Sequence, residues 1–228
     1  MPRKVVIHLG FHKTGSTTVQ QTLQRNRALL RPVLAVALRP SMRDVLSAAR
    51  AFSVTGEAFD RARFAARAAL MLQDLPQMKR RVLCLSAEEL AGHLPGRPGV
   101  RDYGAAVPLA QDLAHAAAAL FPQAEIAFFV MTRDPAAWLD SAYWQHVKSS
   151  SMTMDIATFR SRFAGAARLD DIAVRIARAT GLPVHGARLE EAARLPQGPA
   201  QPLLDLCEVP EDLRARMVWP APANRRPD

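Results

Sequence analysis

Short unbroken apolar runs alternate along this chain with longer stretches in which apolar residues recur every three or four positions. Residues 5–9, 81–86 and 124–132 are runs of the first kind, rich in Val, Ile, Leu and Phe, and each predicts a buried strand. Val184 marks a shorter strand after Gly181-Leu-Pro183. The second kind predicts helices over 17–30 (Val19, Leu23 and Leu30 inward), 42–51, 57–75 (Phe59, Phe64, Ala68 and Leu72 on one side), 105–120, 135–148, 156–163 and 169–180. Shorter helices are expected over 202–207 and 211–217. Residues 32–40, bounded by Pro32 and Pro40, read as a break, and Pro76 as a helix stop. Ser86 reads as the cap of a short helix over 87–91. Residues 92–104, with Pro95, Gly96, Pro98 and Gly99, read as a surface loop able to act as a lid.

Strands that alternate with helices imply βαβ units, hence an α/β fold with a central, mostly parallel sheet between two helical layers. The expected organisation is one domain over residues 1–228, with its core in 4–190 and a basic, Pro-rich tail in 219–228. Ligands of such sheets bind at the carboxyl ends of the strands.

The first such end carries the most informative segment, Gly10-Phe-His-Lys-Thr-Gly-Ser-Thr-Thr18. Strand, Gly-bounded loop and helix N-terminus together make a phosphate cradle, because loop N–H groups converge on an anion and the helix dipole adds partial positive charge. The loop nearly matches G-x-x-x-x-G-K-[ST]. Gly10 and Gly15 have the right spacing, but Ser16 stands where that pattern has its lysine. The loop's cation is Lys13, two residues before Gly15. That displacement argues against an ordinary ATPase and for another phosphate-bearing donor.

The strand over 124–132 runs into Arg133-Asp-Pro, with Ser141 and Tyr143 about two turns into the next helix. A guanidinium and a hydroxyl at a sheet's ligand edge can both bind phosphate. Alone, Arg133 could equally pair with Asp134 or cap a strand; the loop at residues 10–18 is what favours phosphate.

Together the two segments resemble the sulfotransferases that use 3′-phosphoadenosine 5′-phosphosulfate (PAPS), in particular their small bacterial members. His12-Lys-Thr-Gly-Ser-Thr-Thr18 is similar to the family's 5′-phosphosulfate loop, and Arg133-Asp-Pro with Ser141 and Tyr143 to its 3′-phosphate motif. The resemblance spans residues 4–148. It implies a three-layer α/β/α fold like that of P-loop nucleoside triphosphate hydrolases. It also implies transfer of a sulfuryl group from PAPS to a hydroxyl or amine of a small-molecule or glycan acceptor, with adenosine 3′,5′-bisphosphate as product. Lys13 would contact the phosphosulfate and Gly15 let the backbone approach it. Thr14, Ser16, Thr17 and Thr18 would add N–H and hydroxyl donors, and Arg133 and Ser141 would hold the 3′-phosphate. Better-studied members carry a further basic cofactor segment near the C-terminus, matched here only by Asn224-Arg-Arg226.

An alcohol acceptor needs a general base. Glu88, two residues beyond the second predicted strand, is the first candidate. Its alternative role is to favour a helix N-terminus by its charge, and Glu89 is the neighbour most easily confused with it. His12 is the second candidate, unless it merely lines the site. His8 reads as a core histidine, His146 and Lys148 as solvent-facing, and Trp138, Tyr143 and Trp144 as packing residues. No metal-ligand spacing and no Walker B acid is visible, and no metal is expected. A degenerate P-loop kinase or NTPase, or a non-catalytic nucleotide-binding relative, are the alternative readings.

Composition narrows the setting. The chain of 228 residues is 49% hydrophobic and carries a formal net charge of +9. Its arginines are scattered, with no dense basic tract, which argues against a nucleic-acid partner. No apolar run approaches the roughly 20 residues of a membrane span. Cys84 and Cys207 sit among apolar residues as small hydrophobes, and a cytoplasmic location is expected.

Overall fold

The computed structural model describes residues 1–75, 81–149 and 152–220. Strands β1 (Lys4–Leu9), β2 (Leu34–Leu38), β3 (Val82–Ala87), β4 (Glu125–Thr132) and β5 (Val184–Arg188) form one sheet in the order β2-β3-β1-β4-β5. Every neighbouring pair is parallel. The expected "mostly parallel" sheet is therefore parallel throughout.

Period-two alternation distributes each strand between two helical layers. Val5, Ile7 and Leu9 of β1 face one core, with Leu83 and Leu85 of β3 and Phe128 and Val130 of β4. Helices α3 (Arg43–Thr55), α4 (Ala58–Gln73), α5 (Ala106–Leu120), α6 (Pro135–Ser149), α7 (Ile156–Phe163) and α8 (Leu169–Thr180) supply the other half of that core. Val6, Cys84, Phe129 and Met131 face the opposite core. It is covered by α1 (Ser16–Arg25), α2 (Arg27–Leu30), α9 (Leu189–Ala192) and α10 (Gln201–Leu206). The last helix is α11 (Glu211–Arg214). Fully burying one Leu, Ile or Phe contributes about 1.5–3 kcal/mol, so both layers hold the sheet firmly. Cys84 and Cys207 are free and buried in the second core, as expected of small hydrophobes.

Four local expectations are corrected. The "break" over 32–40 contains β2, whose Leu-Ala-Val-Ala-Leu run pairs with β3 from Leu34–Val82 to Leu38–Ser86. The flanking prolines hid it, although prolines are tolerated at the ends of an edge strand. Ser86 does not cap a helix: it lies within β3, and a 3-10 turn, Glu88–Ala91, follows with Ala87 as its N-cap. Phe59 is 76% exposed: five residues before Phe64, it falls off the helix face that carries Phe64, Ala68 and Leu72 into the core. His146 is buried rather than solvent-facing. The expected stop at Pro76 and the segment 224–226 lie outside the described residues.

The topology fixes where a ligand can sit. From β1 the chain leaves toward β2, and from β4 it leaves toward β5, on opposite sides of the sheet. The carboxyl ends of β1 and β4 thus flank the point where connections diverge, the usual crevice in open parallel sheets.

Candidate functional site

The loop from β1 to α1 is built on two left-handed residues, Lys13 (φ 66°) and Gly15 (φ 89°). For lysine this conformation costs on the order of 1 kcal/mol, a strain that accumulates at binding loops. Thr14 Oγ1 and Ser16 Oγ both donate to the Phe11 carbonyl, at 2.7 and 3.2 Å, which closes the loop from inside. Thr18 and Val19 donate their N–H groups to the Gly15 carbonyl and start α1. Among the described residues, the N–H groups of Thr14, Gly15, Ser16 and Thr17 meet no protein acceptor. Consecutive unpaired N–H groups at a helix N-terminus form a cradle for an anion. Two of the expected hydroxyl donors, Thr14 and Ser16, therefore brace the loop, whereas Thr17 is exposed and Thr18 half-buried.

Gly10 is where this loop meets β3. A Cβ there would stand 2.8 Å from Ser16 Oγ and 3.1 Å from the Glu88 Cα, so only glycine lets the two segments close. The Gly10 N–H donates to the Ala87 carbonyl at 3.2 Å. Glu88 is thereby fixed against the loop, and its charge acts on Lys13.

The neighbouring carboxylates have different surroundings. Glu89 is buried and its Oε1 accepts from Arg39 Nη2 at 3.1 Å and Arg50 Nη1 at 2.9 Å. Both bonds tie the turn after β3 to Arg39 and α3. Among the described residues, Glu88 has no such clamp. Burial raises its pKa above the ordinary 4.5, the Glu89 charge adds to this, and Lys13 and Arg39 oppose it. A carboxylate made more basic at the ligand edge suits proton abstraction.

On the other side of Lys13 lies α6. Asp134 Oδ1 accepts the Ala137 N–H and Pro135 opens the helix, so Asp134 is an N-cap and not a partner for Arg133. Arg133 Nη1 instead donates to the Lys13 carbonyl at 3.0 Å, and its Nε lies 4.0 Å from Glu190 Oε1. The two motifs separated by 120 residues are thus joined directly. Ser141 and Gln145 share one helix face at i, i+4 spacing, with Lys148 a turn further. Lys13 Nζ donates to Gln145 Oε1 at 3.2 Å. Burial lowers the Lys13 pKa; Glu88 opposes this, while Arg133 and Lys148 add to it. Gln145 and Glu190 were not foreseen. Gln145 could have been found from its i+4 spacing to Ser141; Glu190 lies in no motif.

His12 is held at three points. Its N–H donates to the Tyr103 hydroxyl at 3.0 Å, its Nδ1 lies 3.2 Å from the same oxygen, and its carbonyl accepts Trp138 Nε1–H at 2.9 Å. Burial pushes the Tyr103 phenol up, so it keeps its proton and can donate it to Nδ1. Burial, and then the charges of His93, Lys13, Arg97 and Arg39, hold His12 down at about 3, so the imidazole is neutral. With the Tyr103 hydroxyl donating to Nδ1, the neutral ring carries its proton on Nε2 and presents a donor there.

His8 stays in the core. Its Nδ1 lies 2.7 Å from Ser86 Oγ, one strand over in register, and burial lowers its pKa to about 4. His146 Nε2 meets the Pro95 carbonyl at 2.8 Å and pins the loop over 92–104 to α6. Trp138 is buried, Tyr143 packs edge-on to Phe159, and Trp144 is 45% exposed. The described residues contain no group of three His, Cys, Asp or Glu side chains placed to hold a metal, and no helix long and apolar enough to cross a membrane.

The fold thus defined is a three-layer α/β/α sulfotransferase-like one. A solved sulfotransferase from Alicyclobacillus acidocaldarius is similar to this chain over 93% of its length and 83% of that protein's, with a TM-score of 0.53 and 18% sequence identity. No family model matches the chain. No curated protein matches it either.

Proposed function

We propose that the chain is a sulfotransferase that takes a sulfuryl group from PAPS and passes it to an acceptor hydroxyl or amine. The observation that carries this reading is the bond from Arg133 to the Lys13 carbonyl, which joins a phosphate cradle to a second phosphate-binding cation. A donor with anionic groups at both its 5′ and 3′ positions fits that pair, whereas a simple triphosphate has no 3′ anion for Arg133. The residues present suit such a donor: four N–H groups without an acceptor among the described residues, a loop turned by left-handed Lys13 and Gly15, and a guanidinium one strand away.

When bound, PAPS supplies the sulfuryl group on a phosphate leaving group. The chain's own contribution is positioning and electrostatics, as for phosphoryl transfer. Lys13 and the N–H groups of residues 14–17 meet the charge that grows on the leaving oxygen. Arg133, with Ser141, binds the 3′-phosphate. Glu88 accepts the proton of the acceptor hydroxyl. His12 presents Nε2–H as a fixed neutral donor. Gln145 holds the Lys13 ammonium in place. The resemblance of the fold to a solved sulfotransferase supports the same reading.

Thermal denaturation with ligands tests it. Adenosine 3′,5′-bisphosphate is expected to raise the Tm far more than AMP or ATP with Mg²⁺, since a ligand at a hundredfold excess over Kd stabilises by about 2.7 kcal/mol. A larger shift with ATP and Mg²⁺ would favour a P-loop kinase or NTPase instead.

A further inference from the structure

The segment over 92–104, which its prolines and glycines mark as a possible lid, is fastened along its length. The His93 N–H is held by Ser53 Oγ at 3.0 Å, and the Pro95 carbonyl lies 2.8 Å from His146 Nε2. The Gly96 N–H closes on the Val100 carbonyl at 2.9 Å, and the Arg97 guanidinium donates to Ser149. Leu94, Val100 and Tyr103 are buried. The segment is therefore a wall, anchored to α3 and to α6.

This wall meets the phosphate loop through Tyr103. Its ring packs on Phe11 at 4.9 Å and edge-on to Trp138 at 6.2 Å, between centroids. It lies nearly parallel to the His12 imidazole, at 6.3 Å and 21°. Its hydroxyl accepts the His12 N–H at 3.0 Å and lies 3.2 Å from His12 Nδ1. A phenol has one proton to give. Among the described residues, Nδ1 is the only acceptor in contact with it. Were the ring protonated on Nδ1 instead, the phenolic proton would be buried without a partner, which is costly. One oxygen, 91 residues along the chain, thus sets which nitrogen of His12 carries the proton.

The other nitrogen is left for a ligand. His12 is half-buried, and its Nε2 meets no partner among the described residues. The tautomer decides what that atom can do. With its proton there, Nε2 gives a hydrogen bond; without it, Nε2 would offer only a lone pair. His12 adjoins Lys13, which the proposed function sets against the phosphosulfate. Sulfuryl oxygens carry no proton and only accept, so the first tautomer attracts them and the second repels them.

We propose that Tyr103 is a positioning residue that fixes His12 as the Nε2–H tautomer, and that this N–H binds an oxygen of the donor's sulfuryl group. The second part rests on the sulfotransferase reading. The first rests on the contacts of Tyr103 with His12 alone.

The test uses the full chain with isotope-labelled histidine rings, whose two nitrogens are told apart by long-range proton–nitrogen correlation at neutral pH. His12→Asn identifies the His12 signals by their loss. The wild type is expected to hold His12 wholly as the Nε2–H tautomer. Tyr103→Phe keeps the ring that packs on Phe11 and Trp138 and removes only the hydroxyl, so His12 there should become a mixture of tautomers. A wild-type His12 protonated on Nδ1, or a tautomer that Tyr103→Phe leaves unchanged, would overturn the positioning role. The wild-type tautomer decides that role by itself if Tyr103→Phe does not fold. Adenosine 3′,5′-bisphosphate and PAPS are then added in separate titrations. PAPS should move the Nε2–H signal further than the bisphosphate, which lacks the sulfuryl group. Tyr103→Phe should weaken PAPS by about 2–10-fold, the worth of one neutral hydrogen bond, and leave the bisphosphate affinity unchanged. Equal shifts, or equal losses for both ligands, would overturn the sulfuryl contact. Failure of both ligands to bind would defeat the donor reading and that contact with it, while the tautomer result still judges Tyr103.

Discussion

The two sides of Lys13 are built differently. Toward β4 and α6, Lys13 is held by the Gln145 amide oxygen, and Arg133 by the Lys13 carbonyl with the Glu190 carboxylate 4.0 Å from its Nε. Toward β3 and β2, two adjacent carboxylates are treated in opposite ways, Glu89 clamped by Arg39 and Arg50 and Glu88 left unclamped with a raised pKa. The first side gathers two cations at the ends of β1 and β4, which the proposed function assigns to an anionic ligand. The second keeps one basic carboxylate beside it. On the proposed function, a binding half and a proton-accepting half meet at a single lysine.

Exchanging the two carboxylates' fates is the strongest way to break this contrast. Glu88→Gln is expected to lower turnover by about 10²–10⁴-fold, the usual worth of a positioned base, while leaving bisphosphate affinity intact. Glu89→Gln should instead cost stability, about 1–2 kcal/mol, since its partners are partly exposed; a fall in Tm with turnover per folded molecule retained checks it. The reverse pattern would reassign the base.

Arg133→Ala comes next on the binding side. A charged hydrogen-bonding group is worth about 1.5–3 kcal/mol, or roughly 10–150-fold in affinity. Adenosine 3′,5′-bisphosphate should lose that much, whereas AMP should lose far less. Equal losses would mean that Arg133 serves only to hold the Lys13 loop.

The pH profile sharpens the contrast further. Below its pKa Glu88 is protonated and cannot accept a proton, so kcat/KM should fall as pH falls, with an apparent pKa above 4.5. Glu88→Gln should remove that limb. His12, held at about 3, stays neutral across the range and should add no limb near its ordinary 6.5. Stability should follow the buried imidazoles. His8 and His12 have folded-state pKa values depressed to about 4 and about 3, so the unfolded chain binds more protons as pH falls below 6.5. Tm is therefore expected to be maintained above pH 6.5 and to decline from there toward pH 4.

The smallest expected effect is at the seam. In Gly10→Ala the new methyl would press on Ser16 Oγ and the Glu88 backbone. Overpacking of this kind costs typically 1–3 kcal/mol, and a lowered Tm with weakened turnover would show that the seam couples the halves.

The same two sides differ in how far the sequence reveals them. The binding half is written in local spacing. Gly10, Lys13 and Gly15 lie within one turn, and Arg133 ends a run of apolar residues, so both could be placed at the sheet's ligand edge. The other half is assembled from distant segments. Arg39 follows a strand concealed between prolines, Arg97 sits in a Pro- and Gly-rich loop, and Tyr103 reaches His12 across 91 residues. No periodicity encodes such contacts. The sequence favours Glu88 over its neighbour Glu89 by its place after the strand alone; the two arginines on Glu89 are the physical difference between them, and no spacing reveals those. The inward hydroxyls of Thr14 and Ser16 were equally invisible, because hydroxyl direction depends on the loop's left-handed turn.

The most direct measurement is isothermal titration of the protein with adenosine 3′,5′-bisphosphate, run beside Arg133→Ala and Lys13→Ala. The account predicts micromolar binding by the wild type, a large loss in Arg133→Ala, and a clear loss in Lys13→Ala. Wild-type binding no tighter than that of AMP, or binding indifferent to Arg133, would contradict it.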